Sequence, residues 1–423
     1  MSNLTRSSLR RILIMGTLIA SGEAIFLLPF VVARIFRPTL LDVLDINNFQ
    51  LGIAFSVYGI VAMFAYFAGG PLADRYPARR LMTIALVFTG IGGVLFASKP
   101  TLNILIFLYG FWGATTILIF WAALIRATRE WGGKFSQGRA FGILDGGRGF
   151  VTALLASVSV TIFAALLPES IESATIEQRT SALNYIIWIF TGIVFITGLF
   201  VWIFIPERKK TEEAPQHPKL AYKGIRAILR RPAIWLQAVI VLCAYVGYKG
   251  TDDFSLYAYD ALGYDDVEAA RIGTISFWMR PFAAIGAGLL ADLTKPSYIG
   301  ILSFAILLLG SILIALGKIP PGSYWFLVVT VSGTSIGIYA LRGVYFALFQ
   351  EAHIPMSLTG SAVGLVSVVG YTPDIFMGPL IGYLIDRSPG ALGHQHVFGV
   401  LALFAFIGLL STFAFQKITQ KNQ

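Results

Sequence analysis

Three arginines lie deep within long apolar stretches of the chain: Arg148, Arg280 and Arg342. A charged side chain at the centre of a membrane-spanning helix costs about 2.5–3.5 kcal/mol, so each arginine needs a partner or a water-filled cavity. The planar guanidinium stays charged and pairs with carboxylate, phosphate or sulfonate oxygens in a bidentate geometry. We therefore predict that the three side chains face one interior cavity and bind an anion. The alternative is structural, with each guanidinium neutralised by an acid of the chain.

Tyrosines accompany these arginines. Tyr339 and Tyr345 lie three residues before and after Arg342, which places them on the same helical face. Tyr371 precedes Pro373 in a stretch where we expect the helix to be broken or flexible. Phenol groups and ring faces can both contact an organic ligand, so we predict that these tyrosines belong to the binding site.

Four acids within apolar stretches are candidates for carrying a proton: Glu23, Asp145, Asp253 and Asp374. Burial favours the neutral form of a carboxyl group and a nearby cation favours the charged form, so a change of environment can load or release a proton. Asp145 can instead pair with Arg148, three residues later. Lys249 can likewise form a self-neutralising structural cluster with Asp252 and Asp253. The four histidines lie in loops or near the ends of apolar stretches, and we assign no role to them.

The composition indicates an integral membrane protein. The 423 residues are 56% hydrophobic and 13% charged, whereas a soluble domain carries about 25% charged residues. This excludes a soluble enzyme, and the single cysteine, Cys243, excludes an intramolecular disulfide. The sequence has no Gly-Lys-Ser/Thr phosphate loop and no His/Cys metal spacing, so we expect no cofactor, no metal site and no enzymatic activity. The net charge of +10 is divided among short clusters between apolar stretches, so we expect no nucleic acid partner.

Twelve apolar stretches are long enough, at about 20 residues, to cross a hydrocarbon core. They cover residues 11–35, 50–70, 80–97, 101–128, 139–167, 183–205, 232–259, 268–291, 297–316, 321–350, 359–386 and 395–415. The polar segment 206–231 divides them into six and six, so we predict an N-terminal bundle over 1–205 and a C-terminal bundle over 232–423. Lys and Arg gather on the side of both termini, which the positive-inside rule places in the cytoplasm.

The two halves repeat a local pattern. Gly70-Pro-Leu-Ala-Asp74 follows the second stretch, and Gly288-Leu-Leu-Ala-Asp292 follows the eighth. Gly138-Arg-Ala-Phe-Gly142 opens the fifth stretch, and Gly360-Ser-Ala-Val-Gly364 opens the eleventh. Repetition at corresponding positions predicts two parallel six-helix repeats.

The segment Gly70-Pro-Leu-Ala-Asp-Arg-Tyr-Pro-Ala-Arg-Arg80 resembles the loop signature of the major facilitator superfamily, with Pro77 and Ala78 where the family usually has Gly and Arg. The resemblance covers essentially the whole chain and implies an all-α membrane protein of twelve transmembrane helices in two pseudo-symmetric six-helix bundles. Shorter motifs are similar to a bacterial branch of inner-membrane facilitators that includes a member from a sulfosugar-utilisation cluster, which implies transport of small, anionic organic molecules. These motifs cover residues 138–142, 147–149, 342–346 and 370–373.

The loop motif also supplies candidate gating residues: Gly70, Asp74, Arg75, Arg139 and Asp292. Asp74 can meet the positive N-terminal end of a neighbouring helix, or Arg139, and so hold one face of the protein shut. Gly70 would permit close helix approach. Asp292 occupies the corresponding position in the second half.

We therefore predict a secondary active transporter of the bacterial inner membrane that moves a small carboxylate, phosphate or sulfonate by alternating access. Transport would be coupled to protons, as a symporter or antiporter, or would proceed by exchange, and the protein would work as a monomer in the lipid bilayer. Two alternatives stay open. One is an exporter of amphipathic or lipid-like compounds, which fits the aromatic content. The other is a membrane receptor or sensor that binds its ligand without translocating it.

Overall fold

The computed structural model describes residues 3–133, 137–168, 174–207, 229–320, 322–354 and 356–421, and these ranges contain helices and no strands. Twelve helical segments are long and apolar enough to cross a membrane, which confirms the predicted fold. We label them α1 (Leu9–Ile35), α2 (Asn48–Ala73), α3 (Ala78–Ala97), α4 (Leu102–Gly132), α5 (Ala140–Leu166), α6 (Ile176–Phe204), α7 (Pro232–Asp252), α8 (Asp266–Leu293), α9 (Pro296–Ala315), α10 (Tyr324–Val344), α11 (Leu365–Arg387) and α12 (Ala391–Gln420).

Four of the described spans depart from a regular α-helix: α1, α4, α11 and α7, which ends in a 3₁₀ turn at Gly250–Asp252. In α1 the turn Leu27–Val31 is π-helical and contains Pro29, which cannot donate a backbone hydrogen bond. A second π-helical segment, Ala114–Trp121, lies within α4. In α11 one helix ends at Gly370 and the next begins at Pro373, because proline is favoured in a first helical turn. The predicted break beside Asp374 is therefore present.

The two halves meet mainly where α2 packs on α11 and where α5 packs on α8. Glycines permit the close approach of α2 and α11. A Cβ atom on Gly59 would lie 2.6 Å from the backbone carbonyl carbon of Asp374. At the other contact, a Cβ atom on Gly149 would lie 3.2 Å from Cγ of Arg280. Small residues at both contacts let the helices of the two halves pack backbone against backbone.

The molecule has two distinct ends. The motif end carries the α2–α3 turn, the α8–α9 turn and the described ends of the chain. The opposite end carries two short helices, Arg37–Leu44 after α1 and Phe254–Leu262 after α7. Most of the predicted central loop, residues 208–228, lies outside the described ranges.

Candidate functional site

A cavity of about 130 Å³ lies between the two halves. Its wall is formed by α1, α2, α4 and α5 of the first half and by α7, α8, α10 and α11 of the second. The three arginines singled out from the sequence, Arg148, Arg280 and Arg342, all line it. Glu23, Asp374 and Tyr371 line it as well. The structure thus brings together the charged residues that the sequence placed on separate spans.

Two arginines share two acids at the motif-end side of this cavity, and we call this set the Glu23 cluster: Glu23, Asp145, Arg148 and Arg280. Glu23 Oε2 lies 3.4 Å from Arg148 Nε and 3.5 Å from Arg280 Nη1. Asp145 Oδ1 lies 3.7 Å from Arg148 Nη1 and 3.5 Å from Arg280 Nη2. The predicted Asp145–Arg148 pair is therefore present but shared with Arg280. Glu23 is buried, whereas the Asp145 side chain is 56% exposed.

A second set of charges, the Asp252 cluster, lies on the side of the opposite end: Arg34, Lys249, Asp252 and Asp374. Arg34 Nε donates to Asp252 Oδ1 at 2.5 Å, and Lys249 Nζ lies 3.2 Å from Asp252 Oδ2. Lys249 also reaches Asp374 Oδ1 at 3.5 Å. The predicted Lys249–Asp252 pair is present and Asp374 extends it, while Arg34 pairs with Asp252 from the first half and so joins the two halves. Sequence reasoning missed Arg34, although an arginine inside an apolar stretch was the available signal.

Arg342 differs from the other cavity cations because no acid pairs with it among the described residues. Its Nη1 atom is buried and has no hydrogen-bond partner among the described residues. Its guanidinium carbon lies 3.9 Å from the ring centroid of Tyr248 and 5.7 Å from that of Tyr245. Electrostatic attraction to the ring faces stabilises the cation, but leaves hydrogen-bond donors free for a ligand.

Tyr339 and Tyr345, predicted from their spacing around Arg342, lie behind the cavity wall. The Tyr339 ring packs edge-on against Tyr248, with centroids 6.3 Å apart. The Tyr345 hydroxyl lies 3.4 Å from that of Tyr371. Residues of α7 and α11 thus separate both side chains from the cavity. The spacing predicted that they share a helical face with Arg342, but it could not predict which residues pack against that face.

Asp253 does not line the cavity, so our prediction that it carries a proton together with Glu23, Asp145 and Asp374 is not supported by its position. The first part of α7 ends at Lys249, a short 3₁₀ turn reaches Asp252, and a new helix begins at Phe254. This turn directs Asp253 to His394, whose Nδ1 lies 2.8 Å from Asp253 Oδ2. His394 Nε2 lies 3.3 Å from Asp260 Oδ2. His394, which has no role in our sequence-based prediction, is therefore fully buried between two acids.

The predicted gating residues are only partly described. Among the described residues, a Cβ atom on Gly70 would meet nothing within 4 Å. No helix therefore packs closely against Gly70, contrary to our expectation. Arg75 is exposed and stacks on Tyr76, and Asp292 is also exposed. The side chains of Asp74 and Arg139 lie outside the described part of the structure. Beside Asp74, Arg126 Nη1 donates to the carbonyl oxygen of Ala73 at 2.5 Å.

A vestibule of about 1010 Å³ lies between α5, α8 and α10 at the motif end. Arg342 lines both the vestibule and the central cavity, and Asp145 and Asp292 line the vestibule. Arg342 is therefore the residue that the central cavity and the vestibule share.

The opposite end is bridged by contacts between the halves. Ser255 Oγ donates to the Ile35 carbonyl at 2.7 Å, and Thr39 Oγ1 donates to Asp266 Oδ1 at 2.8 Å. Asp386 accepts hydrogen bonds from the backbone nitrogens of Asn48 at 3.2 Å and Phe49 at 2.8 Å, and so caps the start of α2. The halves are thus joined at the opposite end and separated by a vestibule at the motif end.

Twelve spans in two halves around a charged central cavity form the architecture of a membrane transporter. The sequence model of the Major Facilitator Superfamily matches residues 12–373, and the chain belongs to this family. It is a multi-pass membrane protein of the transport type.

Three similar proteins illustrate the relationship. Inner membrane protein YqcE of Escherichia coli K12 is 26% identical over 97% of this chain and 96% of its own length. Inner membrane protein YihN of the same strain is 26% identical over 95% of this chain and 94% of its own length. The crystal structure of a bacterial homolog of the human lysosomal transporter Spinster, inward-facing and unoccupied, covers 100% of this chain and 99% of its own, with a TM-score of 0.73 and 15% identity. At that identity the likeness concerns the fold alone.

Proposed function

We propose that this protein carries a small organic anion across the bacterial inner membrane by alternating access. The guanidinium of Arg342, which no acid of the described residues neutralises, is the observation that carries the proposal. The cavity is lined by five cationic side chains, Arg34, Arg148, Lys249, Arg280 and Arg342, and four acids pair with the first four: Glu23, Asp145, Asp252 and Asp374. One positive charge is left over at Arg342. A bound anion would neutralise it and accept the hydrogen bond that Nη1 lacks.

Alternating access fits the two unlike ends of the molecule. By the positive-inside rule we assign the motif end, with its positive loop charge, to the cytoplasm, so the vestibule would face inward. To open the opposite end, the halves would rock apart there and break Arg34–Asp252 and Ser255–Ile35 while closing the vestibule. The ligand, held at the interface of the halves, would then be exposed to the other side.

The Glu23 cluster offers a route to proton coupling. Glu23 and Asp145 both bridge Arg148 and Arg280, so protonation of Glu23 would remove one of the two shared counter-ions and leave one positive charge of the pair available for the anion. Asp145, exposed to the vestibule, is placed to exchange protons with water on the cytoplasmic side. Proton and anion would therefore bind together. Asp374, held by Lys249 and Tyr245, is a less suitable coupling acid.

Counterflow in proteoliposomes tests the proposal with a panel of labelled carboxylates, phosphates and sulfonates. Arg342→Gln should abolish counterflow of the transported anion, and Arg342→Lys should retain part of it, because lysine keeps the charge but loses the bidentate fork. Arg271→Gln is the matched control, since Arg271 is an exposed arginine at the far end of α8 and should leave transport unchanged.

The outcomes separate the competing functions. Counterflow at the wild-type rate in folded Arg342→Gln protein would overturn the assignment of the anion site. Counterflow of amphipathic compounds, with no competition by small anions, would favour the exporter of lipid-like compounds. Specific ligand binding without any counterflow would favour a receptor. Size-exclusion chromatography in detergent checks that each variant is folded.

A further inference from the structure

A continuous row of tyrosine rings leads to Arg342. Its members in spatial order are Tyr66, Tyr371, Tyr245, Tyr248 and Tyr339, with successive ring centroids 6.0, 5.0, 5.4 and 6.3 Å apart. Tyr66 comes from the first half of the chain and the other four from the second. The Arg342 guanidinium lies over Tyr248, so the row presents aromatic surface directly beside the unpaired cation.

The hydroxyl groups of this row are largely used within the protein. Tyr245 donates to Asp374 Oδ2 at 2.9 Å, and Tyr248 accepts from Arg34 Nη1 at 3.2 Å. The Tyr371 hydroxyl lies 3.4 Å from that of Tyr345. A ligand in the cavity therefore meets mainly the ring faces and edges of Tyr245, Tyr248 and Tyr371, whose hydroxyl groups are engaged within the protein. Such surfaces favour flat, polarisable groups through stacked or edge-on contacts.

The rest of the described cavity wall offers few unpaired hydrogen-bonding groups for sugar hydroxyls. Among its described lining residues there is no Asn, Gln, Ser or Thr, and the charged side chains other than Arg342 are paired with one another. A sugar or sugar phosphate would lose water from several hydroxyl groups without gaining matching partners. A ligand with one anionic group and an otherwise apolar body would not.

Size and charge narrow the class further. A cavity of about 150 Å³ accommodates a benzene ring in another protein, and the volume here is about 130 Å³. The single unpaired guanidinium matches one anionic group. Building on the proposed function, we infer that the substrate is a single-ring aromatic monoanion, a carboxylate or sulfonate, with its anionic group on Arg342 and its ring against Tyr245 and Tyr371.

Four probes test this inference by isothermal titration of the purified protein in detergent: benzoate, cyclohexanecarboxylate, phthalate and glucose 6-phosphate. Benzoate and cyclohexanecarboxylate carry the same charge on rings of similar size, so their affinity ratio isolates the aromatic contribution. We expect benzoate to bind about tenfold more tightly than cyclohexanecarboxylate, since an aromatic contact is worth up to about a factor of ten. Phthalate and glucose 6-phosphate should bind more weakly than benzoate.

Variants then locate the aromatic contribution. Tyr245→Leu and Tyr371→Leu should each lower the benzoate preference towards one. Tyr245→Phe should retain the preference, because the ring is kept and only the hydroxyl contact to Asp374 is lost. Tyr185→Leu is the control, since Tyr185 is an exposed tyrosine on α6 and its loss should leave the ratio unchanged.

The outcomes distinguish this inference from the proposed function. Equal affinity for benzoate and cyclohexanecarboxylate, or tighter binding of glucose 6-phosphate or phthalate, would overturn the aromatic assignment. If Arg342-dependent counterflow of another anion persisted in that case, the proposed function would stand. If no anion in the counterflow panel were transported and none of the four probes bound, both would fail.

Discussion

The two charge clusters in the interface between the halves are built from similar residues but differ in how tightly they are closed. In the Asp252 cluster, Arg34 Nε lies 2.5 Å from its acid, and both side chains are less than a tenth exposed. In the Glu23 cluster the ion pairs are 3.4–3.7 Å long, and Asp145 is 56% exposed. The tight cluster holds the halves together at the opposite end, while the loose cluster can exchange a counter-ion.

The physical basis of this difference is desolvation. Buried ions without water must have near-ideal partners, and removal of one partner leaves an uncompensated charge. Ions beside a water-filled vestibule are partly solvated, so longer and shared contacts suffice and can be replaced at small cost. The comparison therefore predicts that the same chemical change will have unlike consequences in the two clusters.

The largest effect is expected for Asp252→Asn. This change leaves Arg34 and Lys249 buried with much of their shared counter-charge removed. Breaking one side of a buried ion pair costs about 3–5 kcal/mol of stability. Thermal unfolding in detergent should show a marked loss of melting temperature. Asp145→Asn, the matched change in the loose cluster, should cost about 1 kcal/mol or less, because this side chain is more than half exposed.

A double variant protects this prediction against simple failure to fold. Arg34→Gln combined with Asp252→Asn removes both charges of the closest pair, so it should be more stable than Asp252→Asn alone. Equal losses for Asp252→Asn and Asp145→Asn would show that the two clusters do not differ as the distances indicate.

The sequence predicted one cluster better than the other, for a physical reason. Arg148 and Arg280 lie near the middle of their spans, where a charged side chain cannot reach the membrane surface and so requires a partner or water. Arg34 and Lys249 lie close to the ends of α1 and α7, where a long side chain can reach the membrane surface and needs no partner. Local spacing predicted the Lys249–Asp252 pair, but Arg34 and Asp252 are far apart in the chain, so spacing could not reveal their contact.

The other features that the sequence did not predict depend on how each helix is rotated about its axis and on where the backbone turns. Tyr245 and Tyr248 look like other aromatic residues of an apolar span, and only the packing of α7 directs them to Arg342. Asp252 and Asp253 are adjacent in sequence, yet a short turn sends one to Arg34 and the other to His394. The number of spans follows from hydropathy alone, whereas these details depend on tertiary contacts.

A smaller loss of stability is expected for a change at Gly59, where α2 of the first half packs against the backbone of Asp374 in the Asp252 cluster. The Asp374 backbone packs directly on Gly59, so Gly59→Ala places a methyl group 2.6 Å from the Asp374 carbonyl carbon. Overpacking of this kind costs about 1–3 kcal/mol. Gly70→Ala, on the same helix, adds its methyl group to open space and should be neutral or slightly stabilising. Thermal unfolding measures both changes.

Transport rates sharpen this glycine comparison. Gly59→Ala should also slow counterflow, because it separates α2 from α11 where the halves are joined. Gly70→Ala should leave counterflow unchanged. A loss of stability in Gly70→Ala as large as in Gly59→Ala would mean that the motif end is packed more closely than its open vestibule indicates.

The smallest effect, and the most specific to the loose cluster, is a gain of affinity in Glu23→Gln. The amide cannot act as a counter-ion, so Arg148 and Arg280 keep only Asp145 as a shared acid and offer one more positive charge to the ligand, and benzoate affinity should rise about tenfold, or 1.4 kcal/mol. Isothermal titration of the wild type and of the variant with benzoate measures this gain. Asp374→Asn in the tight cluster should bring no such gain, since Lys249 still pairs with Asp252. If Asp374→Asn reproduced the gain and Glu23→Gln did not, the exchangeable counter-ion would belong to the other cluster.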